Sequence, residues 1–500
     1  MIAALSSACA SPRASTPPGA IVVGIRTAPN NIDPRLANDE TSQRVGQLVF
    51  NTLLDIGDDL RTKPMLAERL DHPDPLTYIA TLRRGVKFHD GREMTAKDVV
   101  FTFSQMIDPS FVSPLKGAYR SLESVRALDD YHVVFTLKEP FTAFPNQLEG
   151  PLPIIPAGSG TDFGEHPIGT GPYKFVRYDV DDQVILEPFH DYFNGLPKNT
   201  GIVLKVLPDD TMRGLEIRKG SIDLVINDLP PDILFQLKNR GLTLATSVGL
   251  DYSYLGINMR DPILQDKRVR QAIGYAIDRK AIVEYLRRGL ARPATGLIPS
   301  IAWAYEPDVF QFTYDPEKSK QLLDEAGYKD PDGDGPLPRL HLSLKVSNVE
   351  ETRLQATVIQ QDLARVGIDL DVRSYEFATM YADVLKGNFQ MFSLQWVGAA
   401  MVDPDILRRV FYSTQTPPAG FNRGHYSNPE VDRLLDLAGA ATSEAERKKY
   451  YGEVQKIVAE DAPYISIWNR TNVAVAQPTL TGLHLNTVGN FESLRDVVKN

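Results

Sequence analysis

Pro167-Ile168-Gly169-Thr170-Gly171-Pro172-Tyr173-Lys174-Phe175 is the stretch against which the rest of the chain is read. Two glycines one residue apart permit backbone angles closed to other residues, and Pro172 then fixes the chain. From Tyr173 to Val176 an apolar-polar alternation resumes, so the expected structure is a sharp turn into a strand. The residues before it read as a self-contained α+β unit and those after it as a different sheet. A crossing between lobes is therefore expected here, and a crossing in mid-chain makes at least one lobe discontinuous.

Five hundred residues with 42% hydrophobic content can bury several cores, about three units of one to two hundred residues each. The formal charge of −10 has the wrong sign for a partner held by phosphates, which disfavours nucleic acid and anionic membrane surfaces. The only cysteine is Cys9, so the folded body has no intrachain disulfide or cysteine metal cluster. Met1-Ile2-Ala3-Ala4-Leu5-Ser6-Ser7-Ala8-Cys9, followed by a proline-rich polar tether, resembles the end of a bacterial lipoprotein signal in which the cysteine is acylated. It departs from that pattern in lacking a basic start and a full apolar run, and in placing Leu5 one residue too far from the cysteine. No other stretch approaches the roughly 20 apolar residues of a spanning helix.

Outward from the crossing, Ile21 to Ile25 reads as a strand and Thr41 to Leu54 carries apolar residues at helical spacing. Leu76 to Leu82 and His132 to Leu137 are expected strands, and Thr95 with Asp98 forms a capping-box pair at a helix start. Beyond Phe175, strands are expected at 184–187, 201–207 and 221–226, with a helix at 210–219 and another entered at Pro230-Pro231-Asp232. A third region alternates in the same way. It has strands at 252–258, 340–346, 368–372, 389–396 and 465–468, and helices at 269–277, 350–366, 380–386, 429–437 and 444–459. Such alternation implies parallel strands with helical crossovers, and the tail after Arg470 is expected to return to the first lobe.

Enzymatic motifs fail one by one. The eight histidines show no H-E-x-x-H spacing. Asp330-Pro331-Asp332-Gly333-Asp334-Gly335 imitates half a calcium loop, but Pro336 and His341 stand at the seventh and twelfth positions, so a plain turn is expected. Gly169-Thr170-Gly171 lacks the third glycine and following helix of a nucleotide loop, and Gly158-Ser159-Gly160 is no nucleophile elbow. No catalytic residue, metal or cofactor is implied. Trp396, at a strand end before Val397-Gly398-Ala399, is either a flat wall beside a cleft or an indole packed in the core. Tyr254 and Asn258, at another strand end, carry the same two readings.

Together these stretches resemble the extracellular solute-binding proteins of family 5, the dipeptide-, oligopeptide- and nickel-binding receptors of ABC importers. The resemblance is carried by Leu82 to Gly91, Thr95 to Phe101, Gly169-Thr170-Gly171-Pro172-Tyr173, Gly220-Ser221-Ile222-Asp223 and Leu255-Gly256-Ile257-Asn258, and further by Arg270-Gln271-Ala272-Ile273, Glu325-Ala326-Gly327-Tyr328 and Tyr426 to Asp432. It covers nearly everything from Ile21 onward.

The resemblance implies an α/β fold of the type II periplasmic-binding-protein kind, two lobes with an added α+β domain. The expected division is a signal remnant and tether at 1–19, a discontinuous domain I at 20–45, 167–259 and 470–500, domain II at 46–166 and domain III at 260–469. It implies a non-enzymatic, monomeric receptor, periplasmic or on the cell surface and anchored through lipid on Cys9. Such a receptor delivers a peptide or peptide-like solute to an ABC permease; signalling from the same cleft, or a non-peptide solute, are the alternatives.

Carried over, Ala28, Pro29 and Asn30 and the segment Trp396, Val397 and Gly398 are edges of the cleft, with Tyr254 and Asn258 beside them. Relatives that grip a free amino group use an aspartate shortly after Trp-x-Gly; here Ala399 to Val402 intervene before Asp403. The arginine that dipeptide receptors use for the carboxylate is missing, with Val346-Ser347-Asn348-Val349 in its place. A short zwitterion would leave both ends unpaired, which favours a longer or blocked peptide-like ligand.

Overall fold

The computed structural model describes residues 17–150, 152–333, 335–397, 403–418, 420–441 and 443–500. Cys9 and Gly398 lie outside them. Ten strands run in one mixed sheet. Across it they start at Ile368, Leu340, Met391, Thr243, Tyr464, Leu224, Ile21, Ile202, Gln183 and Tyr173, and Ala291–Pro293 pairs alongside Tyr464–Ala476. A separate four-stranded antiparallel sheet is built from Ala67–Asp74, Thr77–Leu82, His132–Leu137 and Leu122–Asp129.

Two strands hold the large sheet together. Thr243–Ile257 and Tyr464–Ala476 pair antiparallel along their whole length, but the register slips between Val248 and Tyr252. At that slip Gly249 faces the Arg470 carbonyl and the Asn472 side chain, each 2.8 Å from where a Cβ would sit, so only glycine lets the backbones approach. Arg470 Nε pairs with Asp251 at 3.2 Å across the same point. Sequence periodicity captures only the ends of these strands, at 252–258 and 465–468, because Thr243 to Val248 is half-exposed and lacks a clean alternation. As expected, the chain after Arg470 rejoins the first sheet, with Leu224, Val225 and Ile226 paired to Ala476, Val475 and Ala474.

Parallel pairing occurs where crossovers were expected: Ile21–Ile25 with Ile202–Val206 and Leu224, and Leu340–Ser347 with Ile368–Tyr375 and Met391. The remaining neighbours are antiparallel, so the sheet is mixed. The helix expected over Thr41 to Leu54 spans Glu40–Val49 and ends as Phe50 takes extended angles. Thr95 N–H donates to Asp98 Oδ2 at 2.8 Å and starts the helix Ala96–Ile107, a cap worth about 1 kcal/mol. Asp98 also accepts from Ala157 N at 2.8 Å, tying the helix to the segment that leads to the crossing.

The crossing itself forms, but for another reason than the one read from the sequence. Neither Gly169 nor Gly171 has a positive φ. A Cβ on Gly169 would fall 1.9 Å from the Val49 carbonyl oxygen, and one on Gly171 2.5 Å from the Val49 carbonyl carbon. The glycines are there for close approach: outgoing and returning connections lie side by side, joined by Gly171 N to Val49 O at 2.9 Å. His89 clamps the return. Its Nδ1 accepts from Gly169 N at 3.2 Å and its Nε2 donates to Gly171 O at 3.0 Å. That arrangement needs a neutral ring, and burial pushes its pKa down to about 4.

Candidate functional site

The registers fix where the parallel strands point. Ile226 lies opposite Ala474, nearer the slip than Leu224 opposite Ala476, so the carboxyl ends of Ile21–Ile25, Ile202–Val206 and Leu224–Ile226 face the break at Gly249. On the other half Trp396 lies opposite Tyr252 and Met391 opposite Ile257, so the carboxyl ends of Leu340–Ser347, Ile368–Tyr375 and Met391–Trp396 face it too. Carboxyl edges of parallel strands are where α/β sheets bind ligands, and here two such edges converge on one hinge.

Each edge displays loops. Ala28, Pro29 and Asn30 follow the first strand; Ala28 packs on the sheet, the Pro29 carbonyl accepts from the Tyr178 hydroxyl at 3.1 Å, and Asn30 is exposed. On the opposite edge Val349, Phe377 and Val397 are each about half exposed, an apolar rim where solvent-facing strand ends would ordinarily be polar.

Behind that rim sits an aromatic cluster. Trp396 is 8% exposed and meets Phe421 edge-on at 5.2 Å. Tyr254 is fully buried, stacked on Tyr464 at 4.0 Å, and burial holds its hydroxyl well above the usual phenol range. Arg423, 5% exposed, lies 5.1 Å over the Trp396 ring and donates to the Tyr254 hydroxyl at 3.3 Å and the Tyr381 hydroxyl at 3.0 Å. Of the two readings of Trp396, the indole is mostly covered in this conformation, while its neighbour Val397 reaches solvent.

The remaining expected residues separate. Asn258 is buried and its amide is spent within its own half, donating to the Phe389 carbonyl at 2.8 Å and accepting from Arg260 N at 3.1 Å. Asp403 lies away from the aromatic cluster. It accepts from the Asn146 amide of the four-stranded half and, at 2.6 Å, from Asp405 N. Burial raises its pKa, and burial together with the Asp403 charge pushes Asp405 up to about 6. Across the same contact Glu149 is pushed up to about 8 by burial, with Asp403 adding to the shift.

These contacts join the four-stranded half to the far half. Arg61 Nη2 donates to Glu444 Oε1 at 2.9 Å, and Leu60 and Ile56 pack into the apolar cluster that contains Trp396 and Phe411. Sequence reading missed both the Arg61 loop and a set of asparagines at the hinge. Asn472 donates to the Asn486 and Thr487 carbonyls at 3.1 and 2.8 Å and accepts from Asn227 at 3.1 Å. The signal available was Asn486-Thr487-Val488-Gly489-Asn490, a loop composition without a periodic partner. Among the described residues no group of histidines, cysteines or acids is arranged to hold a metal, and no helix is long and apolar enough to cross a membrane.

Comparison with known proteins agrees with this architecture. Residues 61–418 match the family model described as bacterial extracellular solute-binding proteins, family 5. The oligopeptide-binding protein AppA of Bacillus subtilis is 29% identical over 483 residues, 93% of this chain and 88% of that protein. The glutathione-binding protein GsiB of Salmonella choleraesuis is 32% identical over 477 residues, 92% and 91% of the two chains. The structure of the Bacillus subtilis AppA in complex with a nonapeptide superposes with a TM-score of 0.79 at 28% identity, covering 96% of this chain and 99% of that one. The fold is thus α/β of the type II periplasmic-binding-protein kind, as the sequence indicated. The chain belongs to the bacterial extracellular solute-binding proteins of family 5.

Proposed function

We propose that this protein is the extracytoplasmic substrate receptor of an ABC importer, capturing a peptide or peptide-like solute between its halves and handing it to a membrane permease. The observation that carries the reading is the convergence of two parallel-strand carboxyl edges on one glycine-containing hinge, with contacts already made across the gap. Relatives named for binding oligopeptides and glutathione support the solute class. Extended solutes in such a cleft pair through their main chain, so affinity and breadth can coexist.

In this reading domain I comprises 20–45, 167–259 and 470–500, domain II 46–166 and domain III 260–469. The walls are Ala28, Pro29 and Asn30 on one side and Trp396 with Val397 on the other. Tyr254 and Asn258 shape the second wall from behind, and Asp403 serves closure rather than a solute amine. The receptor has no catalytic residue, acts as a monomer without nucleic acid, and is held at the membrane by lipid on Cys9. Denaturing mass spectrometry of whatever co-purifies, then calorimetry with that compound, tests the function. Recovery of an intact peptide-like solute supports it. Steady turnover of peptides by a clean preparation, or no solute from any source, ends it. The intact mass of the membrane-extracted protein tests the anchor.

A further inference from the structure

The buried arginines of this protein have their charge answered in one of two ways. Arg35 pairs with Asp33 at 2.6 Å, Arg44 with Glu40 and Asp228, Arg213 with Asp210 and Arg287 with Glu351. Arg270 instead donates to three main-chain carbonyls, those of Asp461, Leu264 and Gln265, at 2.8 to 2.9 Å. Arg423 has neither. Among the described residues no carboxylate lies within 4 Å of it, and its hydrogen bonds go to two phenol hydroxyls. Residues 398–402, next along the chain from Val397, are Gly-Ala-Ala-Met-Val and bring no acid.

The phenols do not supply the missing charge. Burial holds Tyr254 and Tyr464 above the ordinary phenol range, so both are neutral near pH 7. An arginine stays charged in any protein interior, and an unanswered buried charge is costly. Two of the five guanidinium N–H groups are used, and Nε is buried without a partner. Two further polar groups share its situation: the Trp396 indole N–H and the Tyr464 hydroxyl lie beside it, buried and without hydrogen-bond partners at ordinary geometry. One aromatic layer separates the guanidinium from the exposed rim, since Tyr381, 5.4 Å from Arg423, stacks on half-exposed Phe377 at 5.7 Å.

We propose that Arg423 is the counter-ion for a carboxylate of the solute, with the Trp396 indole N–H and Tyr464 hydroxyl as its further hydrogen-bonding partners. This rests on the receptor reading and narrows it: the solute carries a free carboxylate, which enters beside Trp396. The side-on edge of a guanidinium, Nε with one Nη, matches the two oxygens of a carboxylate.

The test offers the full-length protein a tryptic digest of casein, once with free carboxylates and once methyl-esterified, and reads captured peptides by mass spectrometry after desalting. Wild type is expected to retain free-acid peptides at least tenfold over their esters, Arg423→Gln to lose that preference, and Arg423→Lys to keep part of it. Equal capture of both forms by wild type overturns the proposal while leaving the receptor intact, as does a preference that survives unchanged in Arg423→Gln. Should Arg423→Gln fail to fold, the acid-to-ester ratio of the wild-type protein decides alone. Capture of neither form removes the peptide reading, and this proposal falls with it.

Discussion

Replacing Gly169 by alanine isolates the reason the crossing exists. The new methyl group would stand 1.9 Å from the Val49 carbonyl oxygen and 2.6 Å from Phe50 Cδ1, where carbon and oxygen ordinarily come no closer than about 3.3 Å. Backbone lies on both sides, so the clash cannot be relieved by turning a side chain. The two connections must part, at an overpacking cost of about 1–3 kcal/mol. Parting them also strains Gly171 N to Val49 O and the two His89 contacts, each worth about 1 kcal/mol. The sum is about 3–5 kcal/mol, a large share of an ordinary domain's stability of about 5–15 kcal/mol.

Gly85 is the control, because its φ is +72° with nothing within 4 Å of a Cβ. There Gly85→Asn should cost no more than about 1–2 kcal/mol, the penalty of a left-handed residue. Urea denaturation followed by circular dichroism reads both variants. A Gly169→Ala protein within about 0.5 kcal/mol of wild type, well under the overpacking range, would refute the close-approach argument.

Three further outcomes are expected. Glu149 has its pKa raised by burial, from the ordinary 4.5 to about 8, so the folded protein holds a proton that the unfolded chain releases. Its stabilisation is complete below about pH 4.5 and is lost as pH rises through about 8. Glu149→Gln should therefore gain in Tm over wild type progressively from pH 5 to 8, and a difference independent of pH would contradict this. His89 titrates the other way: its contribution is present above pH 6.5 and fades as pH falls towards about 4, so His89→Gln should differ from wild type less at pH 4 than at pH 7 in thermal scans. Trp396→Ala should weaken solute binding by about 1–3 kcal/mol in calorimetry, and solute should alter the wild-type indole emission; unchanged affinity would make the indole a core residue only.

The chain's organisation was legible wherever burial imposed a period. Ile21–Ile25, buried throughout, and the capped helix at Ala96 were both readable because one residue pattern admits one structure. The hinge strands were harder, since the stretch from Thr243 to Val248 carries no strict alternation and its pairing with Tyr464–Ala476 spans more than two hundred residues. The glycines at 169 and 171 announced a special backbone, but close approach and unusual angles leave the same letter in a sequence. Arg423 gave no warning at all: an arginine in Asn422-Arg423-Gly424 reads as an exposed loop residue, and only the fold buries it among aromatic rings.

The claim that two halves close on a solute is tested most directly by a distance across the gap. Spin labels at Asp59→Cys and Lys448→Cys, both exposed and flanking the Arg61–Glu444 contact, in a protein with Cys9→Ser, give that distance by pulsed electron resonance. With the co-purified solute bound, one short, narrow distance is expected, and after its removal a longer and broader distribution. The same narrow distance in both states would contradict the account.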